Sequence, residues 1–418
     1  MKRALEISSL IFTLLICTLF AGAQNNTSSP YSVFGMGELS SVGYGRNLAI
    51  GGTGFGVRDN NQLNLKNPAS LTSIDSLNFL FEMGVNCSYT QFLIASDDDK
   101  QKSWGGNLSH ITFGHRYTKW IMGAYGIAPY SNIGYTLLTM KSLEGEDSFV
   151  FTAWHGTGGL TKYFYNVGIK VFNNFSLGGE VAYLYGPFNE TRKTWAAIQS
   201  DNPTYFITNT RYRTFTYKGA FQYSQNLGKK GTNVTIGGTV SPQQELRGWR
   251  YQNVEQQYGS TTIDSIYYNS MPATPLLIPL TYGGGIGLTW RGQFLLTADY
   301  EKSNWSVNTE RLYTDQTILS FGFERLPQKS LDYIDRCSFR AGFRYDSGYL
   351  RAKGYMIDDT RVTVGLGLPV LKSGSMINLT FEKGFRGTTK RNLILERYNK
   401  LSVAFSMQDL WFGKRKLN

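Results

Sequence analysis

The sequence predicts an all-β fold: a transmembrane antiparallel β-barrel of about 14 strands that carries an N-terminal plug or hatch segment. Three observations predict it. From Leu77 onward, apolar and polar residues alternate in one segment after another. The connections between those segments are alternately short and long. The composition is rich in Gly (46), Tyr (27), Phe (26) and Trp (8) yet only 41% hydrophobic, as suits strands that show lipid at every second residue.

No linker-like or low-complexity break follows residue 75, so most of the 418 residues read as one domain. Ahead of it, Lys2 and Arg3, an apolar run from Leu10 to Phe20 and Ala21-Gly22-Ala23 have the order of a signal peptide, with cleavage expected before Gln24. Cys17 raises a lipoprotein reading, but Ile16 is bulky where a small residue is expected. No later segment supplies the roughly 20 apolar residues of a spanning helix. The expected organisation is a signal peptide over 1–23, a hatch segment over 24–75, a barrel over 76–412 and a basic tail over 413–418, placed in the outer membrane with both mature ends in the periplasm. The net charge of +12 then points to anionic lipid headgroups and lumenal carboxylates rather than nucleic acid. Cys87 and Cys337 are expected to be two separate lipid-facing small hydrophobes rather than a disulfide.

Along the chain, Gly51-Gly-Thr-Gly-Phe-Gly-Val-Arg58 and Asn67-Pro68-Ala69 are turn-rich and carry no strand or helix period. In the first strand, Leu77, Phe79, Phe81, Met83, Val85, Cys87 and Tyr89 alternate with Asn78, Leu80, Glu82, Gly84, Asn86, Ser88 and Thr90. The same signature returns at Phe175–Tyr185, Phe215–Tyr223, Leu280–Trp290, Phe294–Tyr300, Cys337–Tyr345, Val362–Leu368, Ile377–Phe381 and Leu401–Met407. An open sheet of this size would leave long unpaired edges, so closure is expected. Short turns fall at Tyr117–Lys119, Asn173-Asn174, Gly228–Gly231, Arg291-Gly292 and Ser373–Ser375, with longer loops at Ile94–Trp104, Ala197–Thr204, Val254–Pro275 and Gly348–Asp358. Short turns on the periplasmic side and long loops outside follow the barrel convention. Pro129 falls within a long third strand, where it cannot donate to the ladder, so a bulge or inward kink is expected.

The inward faces carry charge. Arg336, Arg340 and Arg344 share one face of a strand opposite Cys337, Phe339, Ala341 and Phe343, and Glu324, Glu82, Glu180, Asp299 and Glu382 are expected to point into the same lumen. Two readings follow, a self-neutralising ion-pair network or a patch for an anionic head group. No H-E-x-x-H, G-x-S-x-G, Cys/His cluster or phosphate loop is present, so neither enzyme nor cofactor is expected. Ser109 and His110 are neighbours on a strand and are expected on opposite faces. An enzymatic reading requires His110 or His155 beside a lumenal serine and carboxylate.

Ala49-Ile50-Gly51-Gly52-Thr53-Gly54 with Arg58-Asp59, then Asn67-Pro68-Ala69, Ala128-Pro129-Tyr130-Ser131 and Gly156-Thr157-Gly158-Gly159-Leu160, resemble the FadL/TodX outer-membrane transport proteins, and more narrowly their divergent members in Bacteroidetes. The resemblance implies an N-terminal hatch and a third-strand kink that lets hydrophobic substrates leave sideways. It makes Asn67, Pro68 and Ala69 the hatch motif, with Phe55 and Arg58 beside it, and Gly126 and Pro129 the kink. Barrels of this resemblance in Bacteroidetes also include adaptors for protein secretion. The expectation is therefore passive uptake of a hydrophobic or amphipathic molecule, with membrane lipid and such a ligand as partners. The alternative is a sealed barrel that docks other envelope proteins.

Overall fold

A computed structural model describes residues 27–40, 43–75, 78–95, 100–142, 149–196, 202–228, 231–258, 261–370 and 374–410. The expected signal peptide with Cys17, and likewise Leu77, Lys229-Lys230, Ser373 and the stretch from Trp411 through the expected basic tail, lie outside the described residues. The rest closes into a 14-stranded antiparallel barrel, as predicted.

Its strands are β1 Asn78–Ile94, β2 Gln101–Arg116, β3 (Ile121–Pro129 and Ser131–Ser142), β4 (Phe149–Gly158 and Thr161–Lys170), β5 Phe175–Ala196, β6 Thr204–Asn226 and β7 (Asn233–Ser241 and Gln244–Tyr258). They continue as β8 (Thr261–Pro272, Leu276–Ile278 and Thr281–Trp290), β9 Phe294–Ser303, β10 Gln316–Arg325, β11 Ser338–Asp346, β12 Asp359–Pro369, β13 Met376–Arg386 and β14 Ile394–Leu410. Each pairs with its neighbour, and β1 returns to β14 in an unbroken register from Asn78↔Leu410 to Ile94↔Ile394. Closure satisfies backbone groups that lipid cannot.

The alternation read in the sequence becomes the two faces of the wall. Phe339, Phe343, Val362, Val364, Leu401 and Val403 face outward and are exposed, whereas Arg340, Arg344, Arg361, Thr363, Ser402 and Ala404 are buried inside. Trp120, Phe172 and Trp290 stand exposed at the short turns, the position of an interfacial aromatic girdle.

Two expectations about connections are corrected. Most of Val254–Pro275 is not loop: β7 and β8 run on as a ladder from Trp249↔Pro272 to Tyr258↔Thr261. Likewise β2 begins at Gln101, inside the expected Ile94–Trp104 loop. Beyond the membrane both faces of a strand meet water, so the ladder persists where the period-2 hydropathy ends. The third correction lies in the link from Arg325 to Ser338. Tyr333–Arg336 there is a short helix, so Arg336 is exposed in a turn rather than lumenal. Cys337 falls before β11 begins and is buried, its Sγ donating to the Tyr333 carbonyl at 3.3 Å rather than facing lipid. Both thiols are free.

Residues 29–40 and 43–74 are packed against the inner wall. A two-residue strand Glu38–Leu39 pairs with Asn132 and Ser131 of β3. A helical turn, Arg46–Ala49, and a 3-10 turn, Pro68–Ser73, are the only helical pieces described after residue 40 in this segment. Gly51 and Gly52 turn at positive φ, and a Cβ on Gly51 would lie 2.7 Å from the carbonyl oxygens of Phe321 and Phe343. Only glycine allows that approach.

The lipid face makes a direct prediction. Phe343→Arg, at the middle of β11, is expected to destabilise the barrel by about 2–4 kcal/mol, read from urea unfolding in lipid vesicles, whereas Tyr345→Phe is expected to stay within about 0.5 kcal/mol.

Candidate functional site

The feature that organises the site is a stretch of wall without a ladder. β2 pairs with β3 only from Ile111↔Ile127 to Arg116↔Met122. Above this level β3 breaks at Tyr130, whose N–H donates to the Leu160 carbonyl (2.7 Å). It resumes at Ser131 paired with β4 and with Glu38–Leu39 instead of with β2. On β4 the matching break falls at Gly158 and Gly159, both at positive φ. Among the described residues, no ladder joins Gln101–Ser109 of β2 to Ile133–Ser142 of β3. One side-chain bond crosses, from Asn107 Nδ2 to Asn132 Oδ1 at 3.1 Å.

Behind the gap lies a cavity of about 350 Å³. Gly105, Gly106 and Asn107 border it on one edge of the gap and Pro129, Tyr130 and Asn132 on the other. Further in, its lining is mixed. Leu39, Ile278, Trp305, Tyr349, Leu350 and Ile357 are apolar and continuous with the cluster in which the Trp305 and Tyr349 rings lie 4.6 Å apart. Lys66, Arg344, Arg361, Arg386 and Asp359 are among its charged side chains.

The N-terminal segment backs the gap from inside. The Gly134 N–H donates to Ser32 Oγ (3.1 Å), and Ser29 Oγ donates to Glu396 (2.5 Å). Arg386 pairs with Glu38 at 2.7 Å and with Glu396 at 3.4 Å. Burial by itself raises the Glu38 carboxyl, but the Arg386 charge and hydrogen bond, with the Thr27 hydroxyl, outweigh it and hold its pKa down to about 2. Deeper, Glu324 takes Arg46 at 2.7 Å and Arg340 at 2.8 Å, all three buried, while Arg46 also pairs with Asp59. Lys66 lies 3.1 Å from Asp299, and its Nζ sits 4.4 Å over the Phe55 ring. Glu180 holds Lys162 and Lys218, and Glu382 holds Arg361 and Lys400.

The residues singled out in the sequence take distinct places. Asn67 caps the Pro68–Ser73 turn by accepting from the Ala69 N–H, and its Nδ2 donates to the carbonyls of Phe55 and Phe221, each at 3.0 Å. Asn67, Pro68 and Ala69 therefore fasten the segment to the wall and do not border the cavity. Arg58 reaches Gln222 and Thr72 and, among the described residues, pairs with no carboxylate; burial pulls its pKa down to about 10. Phe55 does border the cavity. Pro129 stands at the break, but Gly126 lies in intact ladder, where a Cβ would fall 2.1 Å from the Ile111 carbonyl. Glu324 and Arg340 are locked together beneath the cavity, and Arg344 opens onto it.

Sequence reading missed the N-terminal partners Glu38, Arg46 and Lys66, because an irregular segment has no period to assign a face. Arg361, Glu396 and Tyr398 were within reach, since each occupies an inward position of a strand whose alternation was read.

Ser109 and His110 need correction. A bulge opposes Gly84 to His110 and Val85 to Leu108, leaving Ser109 as the extra residue. Both side chains consequently turn inward. His110 Nδ1 lies 3.2 Å from Ser109 Oγ, and Nε2 lies 3.1 Å from Glu82. The imidazole is fully buried against the Tyr44 ring, 4.9 Å away, and Gly45 lies directly on Glu82. This is the serine, histidine and carboxylate grouping that an enzymatic reading requires, but His110 and Glu82 do not border the cavity, and the trio packs the N-terminal segment against β1 and β2.

A closed barrel with an apolar outer face and a folded segment in its lumen defines an outer-membrane β-barrel. Its architecture is that of the FadL/TodX barrels. It is similar to the toluene transporter TodX of P. putida (TM-score 0.61, 13% identity, covering 90% of this chain and 100% of that one). It is also similar to the toluene transporter TbuX of Ralstonia pickettii (0.57, 13%, 88% and 98%) and to a Pseudomonas aeruginosa FadL homologue (0.57, 11%, 89% and 98%). At these identities the likeness is one of fold. No curated protein matches the sequence. The chain itself belongs to the BamG family, whose model matches residues 3–418.

The central ion bridge is testable without a ligand. Glu324→Gln leaves the buried Arg46 and Arg340 without their shared carboxylate and is expected to cost roughly 3–5 kcal/mol, seen as faster amide exchange across residues 46–66. Unchanged exchange there would show that the bridge does not hold the segment.

Proposed function

We propose that this barrel is a passive passage for amphipathic small molecules, with sideways release into the membrane between β2 and the outer half of β3. The observation that carries the reading is that the cavity reaches the unladdered stretch of wall. Cross-strand register gives the height of that stretch: Leu108 and Gly106 lie level with Val85 and Cys87, below the Tyr89–Trp104 ring pair. With that pair as the outer aromatic girdle, the gap opens into the outer leaflet. The mixed apolar and charged lining of the cavity suits a molecule with an apolar body and a polar head better than a plain hydrocarbon. The driving force is transfer of apolar surface out of water, which requires no cofactor. In this reading residues 27–40 act as the stopper, because they occupy the β3 edge that faces the gap.

Locking the gap tests it. In a Cys87→Ser, Cys337→Ser background, the pair Asn107→Cys and Asn132→Cys is oxidised or bridged by a short bifunctional reagent. Uptake of a labelled long-chain fatty acid is expected to fall at least fivefold and to recover on reduction. Equal uptake by locked, unlocked and barrel-deleted cells would rule the passage out.

A second reading, docking of other envelope proteins, is favoured by one observation. β5 and β6 are 22 and 23 residues long, about twice what a membrane crossing needs. Together with the outer parts of β3, β4, β7 and β8 they raise a wall on one side of the barrel, where Leu138, Met140, Trp249, Ile266 and Tyr268 are exposed. Purification of tagged protein in mild detergent separates the readings: a stoichiometric partner lost on truncating the β7–β8 hairpin supports docking, and a lone monomer with bound lipid supports passage.

A further inference from the structure

The lumen is mostly a set of closed ion pairs, and Arg344 departs from that pattern. Its side chain is 5% exposed, and its nearest carboxylate is Asp346 Oδ2 at 3.8 Å. Its Nε is buried without a partner, and among the described residues its guanidinium makes no hydrogen bond. Asp346 Oδ1 accepts from Gln316 Nε2 at 2.8 Å and from the Gly348 N–H at 2.9 Å, which holds the carboxylate so that its Oδ2 stays beyond hydrogen-bond distance of Arg344. Directly across on β12 stands Arg361. Its Nε also lacks a partner, and its Nη1 reaches Glu382 at 3.3 Å. Asp359 accepts from the Tyr398 hydroxyl at 2.7 Å and lies 3.5 Å from Arg386.

Two arginines directly opposite on neighbouring strands repel one another. Both line the cavity. We propose that Arg344 and Arg361 form a binding site for a phosphoryl group, supplied as a free phosphate or as the phosphomonoester head of an amphipathic molecule. One guanidinium fork saturates the two oxygens of a carboxylate, whereas two forks from adjacent strands match the additional oxygens and second charge of a phosphomonoester. The site goes beyond the passage reading, because its occupancy does not require the lumen to conduct.

The test is equilibrium binding to the purified full-length barrel in detergent, using inorganic phosphate and a short-chain phosphatidic acid as probes. Saturable binding of one equivalent is expected, weakened at least tenfold by Arg344→Met and by Arg361→Met. Equal affinity for both probes assigns the site to free phosphate; binding of the lipid probe alone assigns it to a headgroup. Arg344→Lys keeps the charge but loses the fork, and is expected to weaken binding severalfold. It carries the test if the Met variants do not fold. Absence of saturable binding of either probe, or wild-type affinity in a folded Arg344→Lys or Arg344→Met protein, overturns the proposal. A barrel that takes up fatty acid yet binds neither probe would remove this site and leave the passage standing.

Discussion

Inside a bilayer every backbone N–H and C=O must find a partner within the protein, and this structure is organised by that requirement. The β1–β14 seam meets it over the full length of both strands. Alternation follows from closure: once the sheet is a cylinder, one face belongs to lipid and the other to a narrow lumen. Phe343 outside and Arg344 inside are consecutive residues in opposite solvents.

The same requirement explains the interior. A segment folded into the lumen has to pair its own irregular backbone, and it does so with side chains of the wall. Asp299 accepts from the N–H groups of Gly54 and Phe55, Thr363 donates to the Ala49 carbonyl, and Gln222 donates to the carbonyls of Phe55 and Val57. Glycines at the contact points let backbone meet backbone; a Cβ on Gly56 would lie 2.4 Å from the Gly287 nitrogen. Against this general satisfaction the outer edges of β2 and β3, which among the described residues form no ladder with each other, are the exception, and the N-terminal residues bonded to the β3 edge are what a passage would have to move.

How much of this was legible in the sequence depended on whether a residue obeyed a period. Strand number, closure and the lipid face were readable because lipid imposes period 2. The proline at 129 announced the break for the same reason, since it cannot serve a ladder. Arg336 was misplaced because the alternation of Arg340 and Arg344 was extended across a strand end into a helical turn. Ser109 and His110 were misassigned because a bulge shifts the period by one residue, and nothing local in the sequence marks it. Arg46, the second partner of Glu324, and the Lys66 partner of Asp299 come from residues 46–66, where no period exists and only the folded chain shows which charges meet. Outside the membrane the signal failed in the opposite direction: β7 and β8 continue as strands where hydropathy ceases to alternate.

The central claim is that the wall is unladdered between β2 and the outer half of β3 at membrane depth. Residue-resolved amide exchange in lipid nanodiscs tests it most directly. The account predicts that gap-facing amides among Gln101–Ser109 and Ile133–Ser142 exchange orders of magnitude faster than those of the β1–β14 seam at the same height. Equal protection of the two would show a continuous wall and contradict it.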